Sequence, residues 1–197
     1  MQSVFDFIIK PKNKRYNNTK QIGDKELLIN SEISDHRYIS RNGIVLSKPI
    51  LEHGEIQKGD EVIVHHNVFR RWYDQKGNER NSSTYFKDDL YFVSPDQIYM
   101  YNLKPHLDYC FVKPLKNQNL LENRKEQPNV GIVKYTNNAL EAIGITPGTL
   151  ITFTPNSEFE FIIEDERLYC MKSNDIALTH EYQGNEKENN PSWAKSS

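Results

Sequence analysis

Two stretches of the sequence, DFIIKP at residues 6–11 and DYCFVKP at residues 108–114, share one pattern. In each, apolar residues end in Lys-Pro, which is typical of a short β-strand followed by a break. Three more pairs of similar stretches follow in the same order along the chain. They are NGIVLSK (42–48) and VGIVKYT (130–136), IQKGDEVIV (56–64) and ITPGTLITF (145–153), and LYFVSPDQIYMY (90–101) and LYCMKSNDIALT (168–179). Four pairs in one order predict an internal duplication.

The two copies are related by unequal offsets along the chain. The equivalent residue lies 103 positions after Lys10, 88 after Gly43, 89 after Gly59 and 78 after Tyr91. Surface loops tolerate insertions, whereas strands do not. The changing offsets are therefore what loops of different length would produce between strands of the same fold.

Each copy is predicted to be all-β. Short alternating apolar runs lie between Gly, Pro and Asn residues, and only residues 138–144 suggest a helical turn. The phrases SPDQI (94–98) and KSNDI (172–176) predict a turn before the last strand of each copy. About five short strands per copy leave edges that need protection, so each copy is expected to close into a barrel or sandwich.

These patterns also predict the domain boundaries. The first domain covers residues 1–102 and includes a long mobile loop at 12–40. A short link containing Pro105 leads to the second domain, residues 107–180. The polar residues 181–197 are expected to form a flexible tail that is dispensable for folding.

The composition excludes some classes of function. The chain carries 25 Lys and Arg against 27 Asp and Glu, without the basic excess of a dedicated nucleic-acid-binding protein. No apolar run approaches the ~18 residues of a membrane helix, and the first residues lack the pattern of a signal peptide. We therefore expect a cytoplasmic protein without membrane association, in which Cys110 and Cys170 are buried free thiols.

Few residues point to catalysis or to metal binding. The adjacent His65 and His66 are expected on opposite faces of a strand, where they cannot share a metal ion. The other four histidines are scattered, and no glycine-rich phosphate loop, metal-spaced cysteine pair or activated nucleophile is recognisable. We predict no enzymatic activity, no cofactor and no metal site.

The four blocks, in this order, resemble the GroES co-chaperonin family. Its subunit has an opening strand with a lysine-rich end, a mobile loop, a Gly-x-Val strand, a Gly-Asp block and a closing strand after a Ser-x-x-Asp-Ile phrase. The matching phrases are KPKNK, NGIVL, IQKGDEVIV and LYFVSPDQIYMY in the first copy, and VKPLKN, VGIVK, ITPGTLITF and LYCMKSNDIAL in the second. The resemblance covers residues 4–102 and 107–180 and implies two tandem GroES-like β-barrel domains.

The resemblance also implies a function. A GroES-like co-chaperonin is not an enzyme; it caps a nucleotide-bound GroEL-type chaperonin ring and so assists ATP-dependent protein folding. The chain itself would form a homo-oligomeric ring through a repeated head-to-tail interface. The Asn- and Lys-rich composition suits a virus-encoded member, which would act in the cytoplasm of the host.

Apolar residues in the polar loops would make the contact with the chaperonin. An apolar tripeptide within residues 12–40 resembles the docking tripeptide of the family's mobile loop, and the second copy has a shorter apolar pair. The predicted chaperonin-binding residues are Leu27, Leu28, Ile29, Leu120 and Leu121. The alternative is that the tripeptide forms a short strand or covers the barrel.

Two other functions stay open. One is a structural protein, for example a virion or assembly component, built on the same barrel. The other is a nucleic-acid-binding module that uses residues 69–86, a predicted hairpin with its turn at residues 76–78. Basic and aromatic residues of this kind can contact phosphates and stack on bases. Nearby acidic residues dilute the positive charge, so nucleic acid is not the expected partner.

Overall fold

The computed structural model describes residues 3–28, 31, 35, 38–51, 54–117, 125–181, 184 and 186–191. The chain divides into two compact units, Met1–Asn102 and Leu103–Ser197. Within the described ranges the regular structure is almost entirely β-strand, with one short α-helix. The predicted all-β class is confirmed. No helix in this part of the chain is long and apolar enough to cross a membrane.

The first sheet has seven strands, and two hairpins stand apart from it. In chain order the strands are β1 (Phe7–Pro11), β2 (Thr19–Ile22), β3 (Lys25–Leu28), β4 (Asn42–Ser47), β5 (Glu61–Val64), β6 (Arg71–Tyr73), β7 (Glu79–Asn81), β8 (Tyr85–Lys87), β9 (Leu90–Val93), β10 (Ile98–Tyr101) and β11 (Lys104–Pro105). The sheet has the order β11-β10-β5-β4-β1-β9-β8, and the hairpins are β2–β3 and β6–β7. A 3-10 turn precedes β10, as the SPDQI phrase predicts.

The second sheet has six strands. They are β12 (Tyr109–Lys116), β13 (Glu126–Tyr135), β14 (Leu150–Phe153), β15 (Phe159–Ile163), β16 (Glu166–Lys172) and β17 (Ile176–His180), with helix α1 (Asn138–Ala142) between β13 and β14. The order in the sheet is β15-β16-β12-β13-β14-β17. Asn137 accepts a hydrogen bond from the Leu140 N–H and so caps α1. A 3-10 turn again precedes the last strand.

Neighbouring strands have the same register in the two sheets. Adding the sequence offset to both members of a facing pair in the first sheet gives a facing pair in the second sheet. The matching pairs are Pro11–Gly43 and Pro114–Gly131, Ile9–Tyr91 and Val112–Tyr169, Gly43–Val62 and Gly131–Ile151, and Ile98–Val64 and Ile176–Phe153. The register of β1 shifts between Ile8 and Ile9, and that of β12 shifts 103 residues later, between Phe111 and Val112. Equivalent blocks therefore occupy equivalent strands.

The glycine of the Gly-Ile-Val phrase has a packing reason in both copies. A Cβ on Gly43 would lie 2.6 Å from the Ile9 side chain, and one on Gly131 would overlap the Val112 side chain and lie 2.7 Å from the Lys113 carbonyl oxygen. At these two positions the neighbouring strand approaches too closely for any side chain. The equivalent glycines are therefore set by the same steric requirement.

At one facing pair in the core, the large and the small residue stand on opposite strands in the two units. Phe7 faces Val93 in the first unit, and Cys110 faces Met171 in the second. All four side chains are buried. A large residue beside a small one is thus replaced by a small one beside a large one, which conserves packing volume. Cys110 is buried and free, as is Cys170, which confirms that prediction.

The predicted closure into barrels is wrong. Each sheet is open, with β8 and β11 at the ends of the first and β15 and β17 at the ends of the second. Edges can be protected without closure when the edge strand is short, irregular or charged. The end strand β8 has three residues and an irregular register with β9, and β15 carries Glu160. Strand number and alternation do not decide between these solutions.

Candidate partner-binding surface

The segment after β1 leaves the sheet and returns to it at one fixed point. Tyr16 and Ile39 form an isolated antiparallel bridge, and both are buried with 4% of their surface exposed. The Asn17 N–H donates to the Tyr38 carbonyl at 2.7 Å, and the Ser40 N–H donates to the Arg15 carbonyl at 2.9 Å. The predicted mobile segment is therefore anchored at both of its ends.

The described part of this segment is a two-stranded hairpin, β2–β3, which we call the first hairpin. Thr19 faces Leu28 and Ile22 faces Lys25, and Gly23 begins the two-residue turn with a φ of +60°. Glu26 accepts hydrogen bonds from Lys14 and from Thr19. The hydrogen bond from Lys14 is the main cause that lowers the pKa of Glu26. Local pairing thus replaces the irregular loop expected here; the mobility of residues 12–40 stays a prediction.

Two of the three apolar residues predicted to bind the chaperonin are on the first hairpin. Leu27 and Leu28 are each 56% exposed, and Ile22 on the opposite strand is 58% exposed. They lie in a short strand, as one alternative held, but they do not cover the sheet. Ile29 falls outside the described residues, as do Leu120 and Leu121. An exposed apolar pair on an anchored hairpin is a surface that a partner could bury.

Arg15 and Tyr16 join this anchor to the base of the hairpin β6–β7, which we call the second hairpin. The Arg15 guanidinium donates to the Phe69 carbonyl at 3.0 and 3.2 Å and to Asn81 Oδ1 at 2.8 Å. The Arg71 N–H donates to the Tyr16 hydroxyl at 2.7 Å, and the Arg71 guanidinium lies over the Tyr16 ring at 4.7 Å. We call these five residues the hairpin junction.

The second hairpin matches the extension predicted at residues 69–86. Asp74 shapes its turn by accepting 2.9 Å hydrogen bonds from the N–H groups of Lys76 and Asn78. These bonds, led by that of Asn78, lower the pKa of Asp74. Trp72 and Tyr73 are 44% and 57% exposed.

Two of the three cations of the second hairpin have acidic partners. Arg71 pairs with Glu79 at 3.0 Å, and Arg80 pairs with Asp74 at 2.9 Å. Phosphate binding needs cations that are available to the ligand. These ion pairs reduce the attraction that the hairpin itself offers to a nucleic acid.

In the second unit, the C-terminal segment, residues 186–191, is hydrogen-bonded along β12. The Lys116 N–H donates to the Lys187 carbonyl at 2.7 Å, and the Asn189 N–H donates to the Pro114 carbonyl at 2.8 Å. Lys113 Nζ lies 3.0 Å from both carboxylate oxygens of Glu188. This part of the predicted flexible tail is thus hydrogen-bonded along β12, whereas residues 192–197 lie outside the described part.

A buried arginine connects the C-terminal segment to the sheet. Arg167 is 9% exposed; it donates to Glu160 at 2.8 Å and also bonds Glu126 and the Tyr169 hydroxyl. Burial is the main cause that raises the pKa of Tyr169 to about 12. The Asn189 amide also donates to Glu126. Because Glu126 begins β13, the network holds the start of that strand.

The sequence does not single out Arg15, Tyr16 or Arg167. Arg15 and Tyr16 stand in a polar stretch, where a lone aromatic residue is the only sign of burial, and Arg167 is one charge among several near Glu164–Glu166. Their partners lie far along the chain; Arg15 and Phe69, for example, are 54 residues apart. Local sequence reasoning cannot find contacts of this range.

His65 and His66 follow the end of β5, and Cys110 is buried in the core of the second unit. His65 and His66 do not point apart as predicted; their rings stack with centroids 4.2 Å apart, because β5 ends at Val64 and strand alternation stops there. Burial, followed by Arg41, lowers the pKa of His65. Burial raises the pKa of the Cys110 thiol to about 12. No group of three metal-ligating side chains occurs among the described residues.

The sequence was also compared with known proteins. No protein-family model matches the chain, and no curated protein matches it.

Proposed function

We propose that this chain is a tandem GroES-like co-chaperonin that caps a chaperonin ring and acts in the cytoplasm. The support comes from three features together: a repeated set of sequence blocks that resembles this family, two sheets with one register, and a projecting segment after the first strand. The observation that carries the proposal is the exposure of Leu27 and Leu28 on the anchored first hairpin.

The energetics of this contact suit a cap that must be released. Burying an exposed leucine gains about 1.5–3 kcal/mol, so Leu27 and Leu28 supply only a modest affinity. Ordering flexible backbone costs about 1–2 kcal/mol per residue, and this cost would offset much of the gain. Several hairpins held in one assembly would bind tightly, because after the first binds the others act at high effective concentration.

The proposal therefore includes a homo-oligomer. A ring built from a repeated head-to-tail interface would present several copies of the first hairpin on one side. We expect an intact assembly whose native mass is a whole multiple of the 23.1 kDa chain. A monomer at all concentrations would contradict this part of the proposal.

The test of capping is a mixing experiment with a chaperonin ring. We expect a complex by native electrophoresis and electron microscopy that forms with nucleotide and not without it. Leu28→Asp should abolish the complex, whereas Leu178→Asp should not, since Leu178 is similarly exposed at 58% but lies on β17. Circular dichroism would check that both variants keep the β fold.

Other outcomes would overturn the proposal. A wild-type chain that forms no complex with any nucleotide, but assembles with itself, would favour the structural-protein alternative. If Leu28→Asp still binds the ring with unchanged affinity, the assignment of the binding residues is wrong, and the co-chaperonin proposal loses its main support.

A further inference from the structure

The two hairpins of the first unit, together with the residues that lead into them, carry more positive than negative charge. Residues 12–28 and 70–81 together contain nine Lys and Arg against four Asp and Glu, whereas the whole chain contains 25 against 27. Ion pairs use part of this charge, including Lys14 with Glu26 and Arg80 with Asp74. Lys12 and Arg15 pair with Glu61 and Asp89 outside these ranges, so an excess of three positive charges remains over the two ranges. Such an excess steers a binding partner of opposite sign.

The second hairpin also presents an aromatic anchor. Trp72 is 44% exposed and lies directly after Arg71, the residue that bonds Tyr16. Tryptophan, tyrosine and arginine are the residues most often found as binding hot spots in protein interfaces. An exposed tryptophan in a basic surrounding is therefore a candidate contact for an acidic protein surface with an apolar recess.

The hairpin junction fixes the bases of the two hairpins to each other. Arg15 has a side chain that is only 14% exposed and donates to Phe69 and to Asn81, one on each side of the second hairpin. A partner that binds one hairpin therefore meets the other at a fixed base. Because the two bases are already fixed to each other, binding does not have to order them, and the entropic cost of binding both hairpins is lower.

The distance between the two hairpins is short enough for one partner to contact both. Thr19 faces Leu28 and lies three residues after Tyr16. Three extended residues span at most about 10 Å, and paired strands lie about 5 Å apart. The Tyr16 side chain adds its own length, because its hydroxyl bonds the Arg71 N–H next to Trp72. The backbones of Leu28 and Trp72 are therefore within about 30 Å of each other. An interface of about 800 Å² per partner is about 30 Å across.

We propose that the two hairpins form one docking surface for an acidic protein partner, with Leu27 and Leu28 on the first hairpin and Trp72 as a second anchor. This inference rests on the proposed function, since it extends the surface through which the chaperonin would be bound. It adds that the bound face of the partner is rich in Asp and Glu and that a second, aromatic contact fixes its orientation.

The experiment measures the dissociation constant of the nucleotide-dependent complex for matched variants. Trp72→Ser should weaken binding about tenfold or more, and Trp72→Phe should restore most of it. Phe159→Ser should leave binding unchanged, because Phe159 is a similarly exposed aromatic residue, at 59%, in the second unit. Melting curves would confirm that Trp72→Ser, a surface change, leaves the protein folded.

Charge reversal tests the acidic nature of the partner. Lys25→Glu with Lys76→Glu should weaken the complex several-fold at low salt and less at high salt, because exposed charges are screened. Lys104→Glu is the matched control outside the two hairpins and should have little effect. An effect of the double reversal that does not change with salt would overturn the electrostatic part of the inference.

The remaining outcomes separate this inference from the proposed function. If Leu28→Asp abolishes the complex while Trp72→Ser and the double charge reversal bind normally, this inference is wrong and the proposed function stands. If wild type forms no complex, or Leu28→Asp binds normally, both are wrong. In a Trp193→Phe background, quenching of Trp72 fluorescence by micromolar single-stranded dT30 would show a nucleic-acid surface instead and overturn the inference.

Discussion

The two units build the same sheet, but a different segment is hydrogen-bonded at or after its first strand in each unit. In the first unit, Arg15 and Tyr16 fix that segment to the second hairpin, which is inserted between β5 and β8. In the second unit, no such hairpin lies between β14 and β15, and the C-terminal segment is hydrogen-bonded along β12 instead. The shared frame is thus the sheet, whereas the additional segment that is hydrogen-bonded near its first strand differs between the units.

In both units an arginine side chain lies over the ring of the equivalent tyrosine. The Arg15 guanidinium lies 5.4 Å from the Tyr91 ring, and the Arg167 guanidinium lies 4.8 Å from the Tyr169 ring. The tyrosines are equivalent, but Arg15 follows β1 while Arg167 belongs to β16. The face of an aromatic ring accepts a cation from either direction. The two equivalent tyrosines therefore make the same type of contact, with arginines that come from different parts of the chain.

The largest expected effects come from removing these two arginines. Arg15→Ala and Arg167→Ala should each lower the free energy of unfolding by about 3 kcal/mol, because buried acceptors and carboxylates lose a charged donor. Hydrogen exchange measured by mass spectrometry should increase mainly in the unit that carries the change. Arg80→Ala is the control, since an exposed ion pair contributes about 0–1 kcal/mol. Equal exchange in both units would contradict this view of two separately stabilised units.

Alanine at the two equivalent glycines would test whether the two sheets are packed equally tightly. Gly131→Ala and Gly43→Ala should each destabilise their unit by about 1–3 kcal/mol through overpacking. Gly131→Ala should be the worse of the two, because its Cβ would lie 2.7 Å from the Lys113 carbonyl oxygen, against 3.2 Å from the Lys10 carbonyl oxygen at Gly43. Urea unfolding of the two variants measures the difference. A larger loss for Gly43→Ala would show that the sheets differ in how they relax.

Truncation distinguishes the C-terminal segment from the residues beyond it. A chain ending at Glu181 lacks the hydrogen bonds to Pro114, Lys116 and Arg167. It should lose about 2 kcal/mol, which corresponds to a melting temperature about 5 °C lower. A chain ending at Pro191 keeps these bonds and should melt like the full chain. Identical melting of all three chains would mean that the whole C-terminal region is dispensable, as the sequence suggested.

The smallest expected effect is a dependence on pH in the first unit. Burial and then Arg41 lower the pKa of His65 below its usual 6.5. The unfolded chain therefore binds the proton more readily, so His65 lowers stability as the pH falls through 6.5 towards the folded-state pKa. The equivalent position in the second unit is Thr154, which does not titrate. His65→Gln should remove this part of the slope between pH 7.5 and pH 5.5; an unchanged slope would assign it to another group.

The repeat and the strands formed by the four repeated blocks could be predicted from the sequence alone. The Gly-Ile-Val phrase requires a close approach of the neighbouring strand, which ties Gly43 to Ile9 and Gly131 to Val112. The phrase before each last strand contains its own hydrogen-bond acceptor, Gln97 or Asp175. Such features depend on residues that are near in sequence or on side-chain alternation, so the same phrases give the same local structure in both units.

How the sheet edges end, and which distant residues are bonded to β12 and to the segment after β1, depends on the tertiary structure. Edge strands can be closed, shortened or charged at similar free energy, and the alternation of β8 or β15 does not choose among these. The contacts of Arg15 with Phe69 and of Glu188 with Lys113 join residues 54 and 75 positions apart. Long-range contacts of this kind depend on where the folded sheets bring distant backbone groups together. For this reason neither the first hairpin nor the hydrogen bonds of residues 186–191 along β12 could be predicted from the local sequence.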